Sequence, residues 1–338
     1  MMREYRLSPR RDPQTIITAD SCGGDVWNHP LTVAWLCRFM HASPAVLEIS
    51  THSGQAEIPC LSRHLPLGYR LLSAQPYASI QGDAGLFWDD DGDLARYLRR
   101  HRVVRMELAF SGPCLRDCLR RFAGQQMLRA APELDAVRQV IDLAPAQEDP
   151  AWLASSLGSK IRWAVRKALR EGCTVRTAGE ADVDAVQGLY ARTMRAKGAP
   201  VNYPRERFAG LLRELAPEGM GRLYIGHIDD HPAGMAALVQ GASSAHLIQL
   251  AVAPEYQSRR LSELLIHRCL EDTITAGKRY FDFMASQAGD HGLIAFKAKW
   301  GGDTEAIRHI VLASNPLLSP SIDLVRRLNR LRGKLRVA

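Results

Sequence analysis

Between Gln249 and Gly302 the sequence lays out a strand, a turn, a helix and a second strand, an order that few folds accommodate. The apolar run Leu250–Val252 closes a strand from about Ala245, and Pro254-Glu255-Tyr256 turns the chain. An amphipathic segment from about Ser258 to Ala276 follows, with Leu261, Leu264, Leu265 and Cys269 at helical spacing. Gly277 is placed to end that helix, and Arg279–Phe283 reads as the next strand. The start of such a helix presents unpaired N–H groups, which suit a phosphate-bearing donor.

The preceding text repeats this alternation. A helix is expected over Ser159–Glu171, a strand over Thr174–Thr177, and helices over Ala181–Ala196 and Arg205–Leu215. Strands follow at Gly221–Asp229 and Ala233–Gln240. In the first half, Pro30–Met40 reads as a helix, Ala45–Ile49 and Glu57–Leu61 as paired strands, and Leu94–Arg102 as a helix. Met106–Phe110 reads as a strand and Cys114–Ala123 as a helix, while the proline-bounded Pro145–Pro150 is the linker candidate. With 338 residues to divide, the expectation is an α/β (α+β) chain of two related modules. These are 1–148 and 149–314, each a mixed, mostly antiparallel sheet with helices, followed by a basic amphipathic helix at 315–338.

The charge sits in two places. Residues 1–150 carry 17 Lys and Arg against 18 Asp and Glu, whereas 151–338 carry 27 against 18. The segments 159–172 (+4) and 315–338 (+5) hold that excess. No apolar run has the length of a membrane span, and MMREYRLSPRRDPQ lacks the apolar centre of a secretory signal. A cytoplasmic place is expected, with the inner membrane face within reach of the C-terminal helix. Seven scattered cysteines without a CxxC pair read as free thiols. The acidic turn Asp89–Asp93 lacks the calcium-loop spacing, so no metal is expected.

The second-half order, with its Leu250-Ala-Val-Ala-Pro-Glu-Tyr256 turn, resembles the GNAT acyltransferase fold. It is similar in particular to the FemAB-like branch, in which two such modules stand in tandem. The matching residues are Ser159-Lys160 and Arg162, Arg166-Lys167-Ala168, Phe281-Asp282-Phe283 with Ser286, Phe296-Lys297 and Trp300-Gly301. That branch includes peptidoglycan-bridge aminoacyltransferases and acetyltransferase-like proteins of exopolysaccharide loci. The resemblance covers about residues 150–330 and is only architectural before that, where it leans on Pro76-Tyr77. One departure stands out. Acetyl-CoA-using members carry glycines where this chain has Gln257-Ser-Arg259-Arg260-Leu-Ser262, and arginine denies a pyrophosphate the close backbone approach that glycine allows.

Lys297 is the leading catalytic candidate, since a fixed ammonium stabilises negative charge developing on a carbonyl. The resemblance implies the same, placing the matching lysine in the donor–acceptor site, with Lys299 as the alternative if the register is shifted. Asp282 alternates with Phe281 and Phe283 and so faces away from them, as an acceptor ligand, a proton acceptor or a structural carboxylate. His291 is a candidate base in a Gly-Asp-His-Gly loop, and Tyr256 a candidate for orienting the carbonyl. The donor's carbonyl falls to backbone N–H groups at Val252 and Ala253, and its phosphates to Gln257, Arg259, Arg260 and Ser262. Lys160 and the stripe Arg162, Arg166 and Arg170, with Ile161, Val165, Ala168 and Leu169 as the buried arc, form a phosphate-docking surface or simply a solvated face. Tyr77 and Ser286 complete the substrate contacts that the resemblance implies.

The expected activity is N-acyl transfer to an amine of a small-molecule, saccharide or peptide acceptor, in cell-envelope or exopolysaccharide metabolism by the resemblance. Acyl-CoA and aminoacyl-tRNA both remain as co-substrate. The alternatives are a tRNA-dependent peptide-bond-forming transferase and a non-catalytic factor that binds RNA or a membrane surface through the basic patches.

Overall fold

The computed structural model describes residues 4–9, 24–74, 81–82, 93–111, 128–130, 135–149, 151–315 and 317–324. Tyr77, the turn residues 89–92, the expected helix 114–123 and the basic tail from 325 lie outside these residues. Among the described residues no helix is long and apolar enough to cross a membrane.

The chain forms two units. Among the described residues, the first comprises those up to Val137 with those from Glu305 on, and the second Arg138–Thr304. They are therefore not the contiguous stretches 1–148 and 149–314. Strand pairing is the reason. In the first unit the strands Glu4–Pro9, Ala42–Thr51, Gly54–His64 and Arg70–Ala74 lie side by side, followed by Val103–Ser111. Asp303–Leu312, from the far end of the chain, pairs antiparallel with Val103–Ser111, register Ile310 to Leu108. Arg70–Ala74 pairs parallel with Val103–Ser111, and the helix Asp93–Arg100 lies between them in sequence. Leu47, Ile58, Leu72, Leu98, Met106 and Ile310 meet in this unit's core.

The second unit repeats the plan. Its sheet runs Ala136–Asp142, Tyr280–Asp282, Ser244–Val252, His231–Gln240, Gly221–Ile228, Thr174–Thr177. Again a parallel pair, Ser244–Val252 with Tyr280–Asp282, is joined through the helix Leu261–Thr275. Ile161, Val165, Leu261, Leu265, Phe281 and Phe283 pack in one core with Ala245 and Ile141. Phe281 and Phe283 meet edge to face at 5.1 Å, as their alternation about Asp282 requires.

Several local expectations need correction. Pro145–Pro150 is no linker, because Ala144–Glu148 forms a short helix with Ala146 buried. The helix expected over Arg205–Leu215 is α-helical only to Gly210 and continues as a π turn over Leu211–Leu215. In the basic helix Ser159–Arg170 the buried face is Ile161, Ala164, Val165 and Ala168, while Leu169 is exposed. His291 is the first residue of a helix, His291–Ala298, capped by the Asp290 side chain on Leu293 N–H at 3.0 Å.

Candidate active site

Where the parallel strands of the second unit part, Asp282, Arg138, His246 and Lys297 are all buried. Ser244–Val252 and Tyr280–Asp282 stay paired only from Ser244/Tyr280 to His246/Asp282, and the longer strand then runs on to Val252. A register shift between Ala237 and Leu238, opposite Gln249 and Leu247, bulges the longer strand just past the fork. The chain leaving Asp282 turns at Met284, whose φ of 60° is rare for a side-chain-bearing residue.

Asp282, only 2% exposed, anchors that turn. Its Oδ1 accepts from Met284 N–H at 2.6 Å and its Oδ2 from Arg138 Nη1 at 3.2 Å. His246 Nδ1 lies 3.5 Å from the same Oδ2, and His246 Nε2 shares a 2.9 Å hydrogen bond with Ser244 Oγ. Burial alone would raise the Asp282 pKa; His246, Arg138 and the Met284 N–H together outweigh it and hold the carboxyl below its usual range. Arg138 is itself 1% exposed. Arg138→Met therefore strands a buried carboxylate beside His246, and urea denaturation should show a loss of about 3 kcal/mol.

Lys297, on the helix His291–Ala298, reaches the same turn. Its Nζ donates to the Met284 carbonyl at 2.8 Å, and the residue is 8% exposed. Burial pushes its pKa down to about 8, against the upward pull of Asp282 and Asp290. A lysine poised near neutrality in a protein-lined fork has the mark of a functional group rather than a solvated one.

The other expected residues are dispersed. His291 is exposed, and at the helical period its side chain leaves on a different face from Lys297, six positions on. Tyr256 is half-buried against the unit's core. The Ala253 N–H cannot hold a donor carbonyl, because it already donates to Ala233 O at 2.9 Å. Ser286 is buried near the turn, its Oγ without a hydrogen-bond partner among the described residues.

At the start of the helix Leu261–Thr275, Arg260 takes φ 61°, the left-handed conformation for which glycine is the usual residue. Glu263, 7% exposed, stands in the first turn, accepting from Ser262 Oγ at 2.7 Å and lying 3.6 Å from Arg260. The first turn of this helix thus carries a buried carboxylate. Arg259 lies 3.6 Å from both Glu171 and Asp229, and Gln257 is exposed. The guanidinium of Arg260 and the Lys167 ammonium lie 5.8 and 5.6 Å from the centre of the half-exposed Trp163 ring.

The arginine stripe divides. Arg162 Nη1 donates to the carbonyls of Ala154, Ser155 and Leu157, closing the C-terminal end of Trp152–Ser156, while Arg166 and Arg170 are exposed. Lys160 and Lys299 instead share a cleft of about 300 Å³ with Gly158, Ser159 and Ile161. His246, Arg138 and Met284 escaped the sequence reading. The one sequence sign of them is the Ser244, His246 alternation at the start of a mostly apolar strand.

A mixed sheet whose central parallel strands fork beside a helix start is the scaffold of the GNAT class. The comparisons agree: residues 155–297 match the family described as acetyltransferase (GNAT) domain. The chain has the FemAB-like tandem GNAT fold. Its structure is similar to FemX, with a TM-score of 0.65 and 13% identity over 87% of this chain and 94% of that one. It is also similar to a tandem GNAT protein from the clavulanic acid biosynthesis pathway, with a TM-score of 0.59 and 13% identity over 93% and 99% of the two chains. A third likeness is to the C-terminal DUF2156 domain of a putative lysylphosphatidylglycerol synthetase from Agrobacterium fabrum, with a TM-score of 0.54 and 16% identity over 86% and 91%. No curated protein sequence matches the chain.

Proposed function

We propose that the protein is an N-acyltransferase that moves an acyl or aminoacyl group onto an amine, with Lys297 as its electrophilic group. The observation that carries this reading is the buried Lys297 ammonium at the strand fork, its pKa down near 8. A neutral acceptor amine adds to the donor carbonyl, and Lys297 Nζ–H donates to the oxygen as it gains charge. Collapse breaks the C–S bond of a thioester or the C–O bond of an aminoacyl ester, and the amine's proton leaves with the departing group or to solvent. Lys297 keeps its own proton throughout. Positioning supplies the rest, as is usual for reactions in which the two partners carry the chemistry.

The FemAB-like likeness supports cell-envelope or exopolysaccharide acceptors, and the exposed Arg166 and Arg170, one turn apart, suit a phosphate-rich co-substrate. The first-turn Glu263 and the Arg260 turn weigh against a tight glycine-type pyrophosphate cradle and so favour aminoacyl-tRNA over acyl-CoA. Glu263→Gln should strengthen acetyl-CoA binding roughly fivefold, because a carboxylate at a helix start competes with phosphate for about 1 kcal/mol. Isothermal titration with acetyl-CoA measures it; weaker or unchanged binding removes Glu263 from the argument.

The deciding experiment is mass spectrometry of ligand retained by the purified protein, beside thermal melts with acetyl-CoA and with aminoacyl-tRNA. A donor that binds the native state raises the melting temperature. Protection by neither, with binding only to uncharged RNA or anionic vesicles, would replace this reading with that of an accessory binding protein.

A further inference from the structure

We propose that Asp282 is a positioning residue, which sets the Met284 turn and through it aims the Lys297 ammonium. Asp282 was a candidate acid–base group by its place in the sequence, but its geometry assigns it other work. It is 2% exposed, and both oxygens are engaged, Oδ1 by Met284 N–H and Oδ2 by Arg138. A carboxylate so enclosed has no oxygen turned to an incoming amine.

Its influence reaches the reacting group by a short relay. Met284 is one of seven described residues other than glycine with positive φ, and it follows a strand end without a glycine to ease the turn. The Oδ1···H–N bond spans two residues, the Asx-type contact that stabilises a tight turn. That turn fixes the direction of the Met284 carbonyl, and the carbonyl in turn accepts from Lys297 Nζ at 2.8 Å. Arg138 and His246 steady the far side of the carboxylate, on the neighbouring strands Ala136–Asp142 and Ser244–Val252. The sheet thus locates Asp282, Asp282 locates one carbonyl, and the carbonyl locates the ammonium.

Two variants separate this from a purely structural or a proton-transfer role. Asp282→Asn keeps an oxygen for Met284 N–H and loses the charge; Asp282→Ala loses both. The probe is acetylation of Lys297 by dilute sulfosuccinimidyl acetate at about pH 9.5, above its pKa near 8, followed by peptide mass spectrometry. Melting curves verify folding of each variant. In the wild type the tethered amine is expected to react slowly. Asp282→Ala should react several-fold faster, and Asp282→Asn at close to the wild-type rate. Equal acceleration in both variants, or acceleration in neither, overturns the relay. Should Asp282→Ala fail to fold, Asp282→Asn decides alone: an unaltered rate supports the relay and an accelerated one overturns it.

The inference rests on the reading of Lys297 as the reacting cation, but labelling does not require turnover. If Lys297→Met still releases thiol from acetyl-CoA or deacylates aminoacyl-tRNA at the wild-type rate, the proposed function fails while the labelling result stands.

Discussion

Lys297→Met is expected to give a protein that melts higher than the wild type and transfers acyl groups on the order of 10²–10³ times more slowly. The two effects share one origin. Burial costs the ammonium its hydration, so its folded pKa near 8 lies below the unfolded value of 10.5. Below pH 8 both states are protonated and the folded state bears the full cost. Between pH 8 and 10.5 the folded lysine gives up its proton first and the cost fades; above 10.5 it is gone. The shift corresponds to about 3 kcal/mol. Loss of the donor to the Met284 carbonyl returns roughly 1 kcal/mol, leaving a net gain of about 2. The stability difference between variant and wild type should shrink as pH rises from 8 to 10.5, which melts across that range would record. In the wild type, transfer should also decline above about pH 8 as Lys297 loses the proton it offers the oxyanion. A variant that is less stable at pH 7, or that keeps full activity, rules out a strained electrophilic lysine.

Gly302→Ala is expected to cost about 3–5 kcal/mol, far more than Gly301→Ala next to it. Both glycines have positive φ, 84° and 88°. A methyl at 301 meets nothing within 4 Å, whereas at 302 it would stand 2.4 Å from the Val140 carbonyl oxygen. Backbone cannot swing aside as a side chain does, so strand and loop must separate. Gly301→Ala should therefore register only the conformational penalty, about 1–2 kcal/mol. Displacement at 302 also pulls on Trp300, whose ring lies 6.4 Å from that of Phe283, and so disturbs the helix that carries Lys297. Urea titrations of the two variants make the comparison; equal losses would mean that φ, and not the contact with Val140, sets the requirement.

How much of this was legible in the sequence depended on range. Local periodicity located the helix beginning at Ser159, because burial of one face writes itself into the spacing. The alternation of Phe281, Asp282 and Phe283 foretold which way the carboxylate faces. Lys297 came from resemblance, and its surroundings could not. Arg138, His246 and Met284 approach Asp282 through strand pairing and a backbone dihedral, neither of which leaves a mark in nearby residues. His246 in an apolar strand reads as ordinary core content. Asp303–Leu312 went unnoticed for a related reason: alternating residues can announce a strand but carry no address for its partner.

That address has a consequence for the life of the chain. Val103–Ser111 acquires its outer neighbour only when residues 303–312 emerge from the ribosome, almost two hundred residues later. Until then a nascent first half holds an unprotected sheet edge, the sort of surface that recruits other chains. Ala136–Asp142 meanwhile waits for Tyr280–Asp282. Neither half can be inherited, expressed or repaired as a self-sufficient piece, since each keeps its closing strand in the other's stretch of gene. Separate fragments 1–148 and 149–338 should aggregate alone and regain native spectra only when refolded together, as a split protein does.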